Sequence, residues 1–152
     1  MSVNELTASD PAWEIRSYRL EDESEVIALW ERCELTRPWN DPKQDIARKM
    51  QVNPELFLVA MIETRVIGTV MAGYEGHRGS INYLAVDGRY RRKGLGRELV
   101  CRAERFMVTL GCPKINLQIR LENKEVVQFY AAMGYHTFQV IDMAKRLEEG
   151  IR

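Results

Sequence analysis

Apolar residues recur along this chain with two different periods, and the switches between them mark its elements. Trp13, Ile15 and Ser17 alternate with Glu14, Arg16 and Tyr18, the two-residue period of a strand. From about Glu21 to Glu34 the period lengthens. Val26, Leu29, Trp30 and Cys33 stand at i, i+3, i+4 and i+7, and Glu21, Asp22 and Glu23 load the first turn with negative charge, which predicts a helix. Residues 35–40 break the pattern. A second helix is expected from Asp41, with that residue as N-cap, Pro42 at the first helical position and Gln44 as the reciprocal acceptor of a capping box. Asn53-Pro54 ends it.

Two β-rich runs follow, 56–62 and 66–74, joined at Glu63-Thr64-Arg65 as a hairpin. A polar, glycine-rich loop, Glu75-Gly76-His77-Arg78-Gly79, leads into a strand over 81–86. A long helix opens at Gly94, with Leu95, Leu99, Ala103, Phe106, Met107 and Leu110 on one face and Gly111 as its stop. Residues 114–120 alternate as a strand, 123–133 read as a helix ended by Gly134, and 135–141 make a last strand. The order βααβββαβαβ is α/β, with a mixed central sheet flanked by helices.

At 152 residues, 45% hydrophobic and 29% charged, the chain is sized for one domain with its own core. Residues 1–12 are polar and aperiodic and read as a loose arm, leaving 13–145 as the domain. Twenty-two Lys and Arg balance 22 Asp and Glu, which argues against a general nucleic-acid or membrane-surface binder but not against a local anion site. Cys33, Cys101 and Cys112 lack CxxC or CxxH spacing, so free thiols are expected rather than a disulfide frame or a metal site. No apolar run approaches the roughly 20 residues that span a bilayer, and the N-terminus carries no signal-peptide pattern, so a cytoplasmic protein is expected.

The densest chemistry lies between the 81–86 strand and the long helix. Gly88-Arg89-Tyr90-Arg91-Arg92-Lys93-Gly94-Leu95-Gly96-Arg97 places five cations within nine positions, just before glycines that open a helix. The free N–H groups of a helix's first turn and its dipole favour an anion, and glycine lets a phosphate approach the backbone. Neither GxxxxGK(S/T) nor GxGxxG fits the spacing. The plainer alternative is a solvated basic turn with a glycine N-cap.

Arg91-Arg92-Lys93-Gly94-Leu95-Gly96 resembles the (R/Q)xxGxG/A pyrophosphate loop of the GNAT superfamily of acyl-CoA-dependent N-acyltransferases. Leu84-Ala85-Val86 precedes it at the family spacing, and Asn123 through Tyr130 to Gly134-Tyr135 resembles the family's second motif. Arg37-Pro38-Trp39-Asn40-Asp41-Pro42 and Gly76-His77-Arg78-Gly79-Ser80 are similar to a YpeA-like bacterial branch of it. The resemblance implies the GNAT fold over about residues 13–141. It implies acetyl transfer from acetyl-CoA, without a metal, to a primary amine that attacks directly in a ternary complex. It also leaves a homodimer open, because exposed edges of this fold often pair.

Carried onto this chain, the resemblance gives pantetheine to the backbone of Leu84, Ala85 and Val86, and pyrophosphate to Arg91, Arg92, Lys93, Gly94, Leu95, Gly96 and Arg97. A main-chain N–H near Leu84 or Ala85 would polarise the thioester. Tyr130, seven residues after Asn123, would assist the departing thiolate; helical spacing alone favours a core tyrosine, and the motif match reverses that. Asn123 is a helix N-cap, a CoA contact, or both. Ser80 stands where histone-acetylating members carry a glutamate base, which leaves His77 and Glu75 as nearby candidates. Trp39 and Asn40 are candidate acceptor contacts, with packing as the alternative for Trp39. The acceptor is expected to be a small molecule or amino acid. A protein N-terminus or lysine, and a non-catalytic acyl-CoA-binding module, are the alternatives.

Overall fold

Five strands and four α-helices alternate along residues 12–148, the residues that this computed structural model describes. All of the expected N-terminal arm except Ala12 lies outside the described residues. The elements are β1 Glu14–Ser17, α1 Glu23–Arg32, α2 Pro42–Lys49, β2 Phe57–Ile62, β3 Arg65–Tyr74, β4 Gly79–Val86, α3 Leu95–Thr109, β5 Ile115–Asn116 and α4 Lys124–Ala132. They build one mixed sheet in the order β1-β2-β3-β4-β5, antiparallel up to β4 and parallel between β4 and β5.

The two sides of the sheet bury different helices. Val26, Leu29 and Trp30 of α1 and Ile46 of α2 pack with Phe57, Val59 and Met61 of β2. On the other side Leu95, Leu99, Val100, Ala103 and Met107 of α3 pack with Leu58 and Ala60, and Tyr130 of α4 joins them. Covered on both faces, β2 reads as the unbroken apolar run FLVAMI rather than an alternation.

Capping explains where the helices start. Asp41 accepts hydrogen bonds from the backbone N–H of Lys43 at 3.0 Å and Gln44 at 3.4 Å, the expected N-cap. The expected capping box does not close, because the Gln44 side chain accepts from Arg48 instead. α1 starts at Glu23, after a 3-10 turn over Leu20–Asp22. Asp22 is drawn into the protein by both guanidinium nitrogens of Arg16, at 2.7 and 3.0 Å, and by the Arg19 N–H at 2.9 Å. Burial alone would raise the Asp22 pKa, but these bonds outweigh it and hold the carboxyl below its usual range.

Two expected strands are corrected. Only Ile115–Asn116 of 114–120 pair in a ladder, and 135–141 form no strand. Alternating β-formers specify a surface to be half buried, but a strand also needs a partner edge. Beyond Asn116 the chain leaves β4, so 135–141 find no ladder beside it. Phe138, Val140 and Ile141 accordingly stay exposed. No helix of the described residues is long and apolar enough to cross a membrane.

Tyr18 stacks on Phe57 with ring centroids 4.5 Å apart, and its buried hydroxyl has no hydrogen-bond partner among the described residues. Burial first, then nearby acidic residues, push its pKa up to about 12. Replacing Tyr18 by Phe keeps the stack and removes the unpaired group. Thermal unfolding should therefore show a gain of about 1 kcal/mol, roughly 2–4 °C.

Candidate active site

The site begins where two parallel strands part. β4 and β5 are in register only at Gly79–Ile115 and Ser80–Asn116. Beyond that, Ile81, Asn82, Tyr83 and Leu84 on one side and residues 117–120 on the other line a cleft of about 760 Å³. That volume suits a small ligand rather than a flat protein surface. The α1–α2 loop and α2 form one end of the cleft, and α4 contributes Asn123, Val126 and Tyr130.

A bulge in β4 shapes the strand edge facing this cleft. Thr69 pairs with Ala85 and Met71 with Asn82, so Val70 alone faces two β4 residues, Tyr83 and Leu84. Tyr83 sits at φ 50°, a left-handed conformation uncommon for a bulky side chain. Its surroundings hold it there. Its ring stacks on Trp30 with centroids 3.8 Å apart, and its hydroxyl donates to Asp45 at 2.6 Å. Thr69 Oγ1 donates to its carbonyl at 2.8 Å. Burial, then the Asp45 bond, keeps the Tyr83 hydroxyl protonated well above the ordinary tyrosine range.

α4 brings Tyr130 to the opposite wall. The ring packs edge-on against Phe129 and Tyr135, at 5.0 and 5.2 Å between centroids, and the residue is only 5% exposed. Burial and, secondarily, the charge of Glu104 raise its pKa, so the hydroxyl stays protonated. Packing and cleft exposure are thus compatible roles. Asn123 precedes α4, but its side chain makes no capping bond and instead lines the cleft.

The basic loop is fixed at its start by Asp87, which is buried, accepts from the Arg89 N–H at 3.0 Å and pairs with Arg32 at 3.0 Å. Arg92 and Gly94 both take left-handed φ, 63° and 87°. Gly94 is the N-cap of α3 and offers no side chain to its first N–H groups. A 15-residue helix therefore presents uncapped donors beside exposed Arg91, Arg92, Lys93 and Arg97. That is the donor set an anionic diphosphate fits. Arg91 Nε also donates to the Val86 carbonyl at 3.3 Å.

Residues 23–135 match the Acetyltransferase (GNAT) family. The chain belongs to that family. It is 47% identical over 136 residues to an acetyltransferase of Pectobacterium atrosepticum, covering 90% of this chain and 96% of that protein. A Yersinia pseudotuberculosis acetyltransferase is 47% identical over 134 residues, covering 88% and 95%. In fold the chain is similar to AAC(6')-Iy in complex with the bisubstrate analogue CoA-S-monomethyl-acetylneamine. The TM-score is 0.73 and identity 18%, covering 89% of this chain and 99% of that one. The protein is thus an acetyltransferase with the GNAT fold.

Not every residue expected to act in this GNAT cleft reaches it. Leu84, Asn123, Tyr130 and Asn40 line the cleft. Ala85 is buried in the ladder opposite Thr69. Trp39 is 40% exposed, with the Arg120 guanidinium over its ring at 5.6 Å. His77 and Glu75 sit in the exposed β3–β4 loop, where Glu75 accepts from the backbone N–H of His77 and Arg78. Neither His77 nor Glu75 is among the residues that line the cleft.

Sequence reasoning passed over several residues that do line it. Glu34, Arg37, Asp45, Arg48 and Lys49 stand around its α1–α2 end. Asp45 is engaged by Tyr83 and Arg48. Lys49 Nζ donates to the Ala72 carbonyl, and burial lowers its pKa. Glu34 terminates α1 at φ 59°, with its own N–H on the Glu31 carbonyl. For Glu34 and Arg37 the sequence signal was the break after α1, which marks a loop, whereas Asp45, Arg48 and Lys49 lie on α2.

Proposed function

We propose that this protein is an acetyl-CoA-dependent N-acetyltransferase acting on a small primary amine or amino acid, by direct attack in a ternary complex. The observation that carries the reading is the β4–β5 split. It leaves a cleft whose lining includes Leu84 of β4 and Tyr130 of α4. Pantetheine pairs with the Leu84–Val86 backbone as an added strand. The uncapped start of α3, with Arg91, Arg92, Lys93, Gly94, Leu95, Gly96 and Arg97, takes the pyrophosphate. The Leu84 N–H polarises the thioester carbonyl, Asn123 contacts CoA, and Tyr130 donates to the leaving thiolate.

The acceptor end supports a small substrate carrying both charges. Arg37, Arg48, Lys49 and Arg120 line it against Glu34 and Asp45. The Arg37 guanidinium forms no ion pair or hydrogen bond among the described residues, which leaves a planar donor for a carboxylate. Trp39 backs Arg120 and Asn40 joins the wall. Since His77 and Glu75 stand apart from the cleft, we assign acceptance of the amine's proton to Glu34, directly or through a water.

Free-thiol release from acetyl-CoA, across a panel of amines, amino acids and short peptides, tests the reading. Release with an amino acid or small amine is the expected result. Release with peptides alone would move the acceptor to protein, and binding without release would make the protein a non-catalytic acyl-CoA module. Glu34→Gly tests the base, because glycine relieves the left-handed φ at that position. It should stabilise the fold by about 1 kcal/mol while lowering kcat/KM by about 100-fold at neutral pH. A variant that is both more stable and fully active would end the assignment.

A further inference from the structure

Thr69 lies on β3 with no solvent exposure, and its side chain does two jobs outside the sheet ladder. Its Oγ1 accepts from Trp30 Nε1–H at 2.9 Å and donates to the Tyr83 carbonyl at 2.8 Å. We propose that Thr69 is a positioning residue for acetyl transfer: its hydroxyl holds the Tyr83–Leu84 peptide so that the Leu84 N–H is aimed into the cleft at the thioester carbonyl. This rests on the reading of that N–H as the oxyanion donor.

The geometry follows from the peptide plane. No peptide bond among the described residues is cis, and in a trans peptide the C=O and the N–H point in opposite directions. Thr69 draws the Tyr83 carbonyl toward β3 and the buried Trp30, so the Leu84 N–H is turned away from β3. Away from β3 is the side where β4 has parted from β5 and where Leu84 lines the cleft.

The bulge needs this restraint. Tyr83 is held at φ 50°, which a tyrosine does not adopt unless its surroundings impose it. Rotating the Tyr83–Leu84 peptide, which turns about Tyr83 ψ and Leu84 φ, would swing the Leu84 N–H out of the cleft. It would also strand the buried Thr69 hydroxyl without an acceptor, which opposes the rotation. The Trp30 N–H fixes which way the hydroxyl donates, because it occupies the oxygen as donor and leaves the Thr69 O–H for the carbonyl. Trp30 stacks on the Tyr83 ring at 3.8 Å, so the same side chain clamps Tyr83 at both ring and peptide.

The test is the acetyl carbonyl stretch of isotope-labelled acetyl-CoA, bound to wild type, Thr69→Val and Thr69→Ser and read by difference infrared spectroscopy. It needs binding but no known acceptor. Calorimetry of acetyl-CoA and, once an acceptor is in hand, kcat accompany it. Wild type is expected to lower the stretch relative to free acetyl-CoA. Thr69→Val, equal in shape but without the donor, should return it toward the free value with acetyl-CoA Kd unchanged within about twofold, and should lower kcat by about 10-fold or more. Thr69→Ser should restore both. A purely structural role would move Tm and leave the stretch alone. Thr69→Val with the full wild-type shift overturns the proposal by itself. Wild-type protein that binds acetyl-CoA without any shift overturns the Leu84 reading as well. If Thr69→Val does not fold, Thr69→Cys replaces it; its weak S–H donor should give a shift well short of wild type, and a full shift overturns the proposal.

Discussion

Replacing Tyr130 by Phe is expected to cut kcat by about 10- to 100-fold while acetyl-CoA Kd stays within about twofold. The hydroxyl is the only group removed, so the edge-on packing against Phe129 and Tyr135 persists. The size follows from comparing two acids. A thiol's reference pKa is about 8.5 and a tyrosine's about 10, and burial raises that of Tyr130 further. Full proton transfer to the departing thiolate would therefore run uphill. In the proposed mechanism Tyr130 stabilises the developing charge by donating a hydrogen bond, worth about 1.5–3 kcal/mol to an ionised acceptor. Thiol-release kinetics with calorimetry check both halves, and equal turnover in the variant removes the role. Because the pKa is raised, wild type should show no loss of activity from Tyr130 ionisation below about pH 10.

The two glycines at the start of α3 should separate under substitution. Gly94 has φ 87°, with nothing within 4 Å of where a Cβ would sit, so Gly94→Val is opposed by the backbone rather than by a clash. It should displace the first turn, lower Tm and weaken acetyl-CoA binding by about 100-fold. That corresponds to losing two backbone bonds to a charged phosphate at the low end of their range. Gly96 is helical, and a Cβ there would meet Phe129 and Val86 only at ordinary distances of 3.5–3.6 Å. Gly96→Ala should therefore gain up to about 1 kcal/mol of stability. A drop in acetyl-CoA affinity in that more stable variant would report a phosphate lying against the backbone at Gly96. Unchanged affinity would place the phosphate elsewhere on the loop.

The same contrast shows how far the pattern of the chain carried. The string opened the helix at Gly94 but did not show its left-handed φ, which belongs to the turn and not to the residue. Asp41 was legible because an N-cap bonds to N–H groups two and three positions away. The stretch 135–141 was misleading because a strand signal describes a side-chain surface, while the ladder requires an edge supplied from elsewhere in the fold. His77 and Glu75 were near the motif in sequence but stand at the far end of β4 from Leu84. Contour distance along a strand becomes real distance in space.

By itself the sequence determined the element order up to α4, the faces α1 and α3 would bury, the hairpin and the basic, glycine-opened start of α3. All are local or periodic properties, set within one helical turn or one strand's alternation. Only the tertiary structure decided which groups share the cleft. Thr69 of β3 reaches the Tyr83 peptide of β4, and Leu84, Tyr130 of α4, Glu34 and Asp45 line one cleft. Those contacts join residues far apart in the chain. Their distances are set by sheet register, by a bulge and by the parting of two strands, none of which leaves a periodic trace in the sequence.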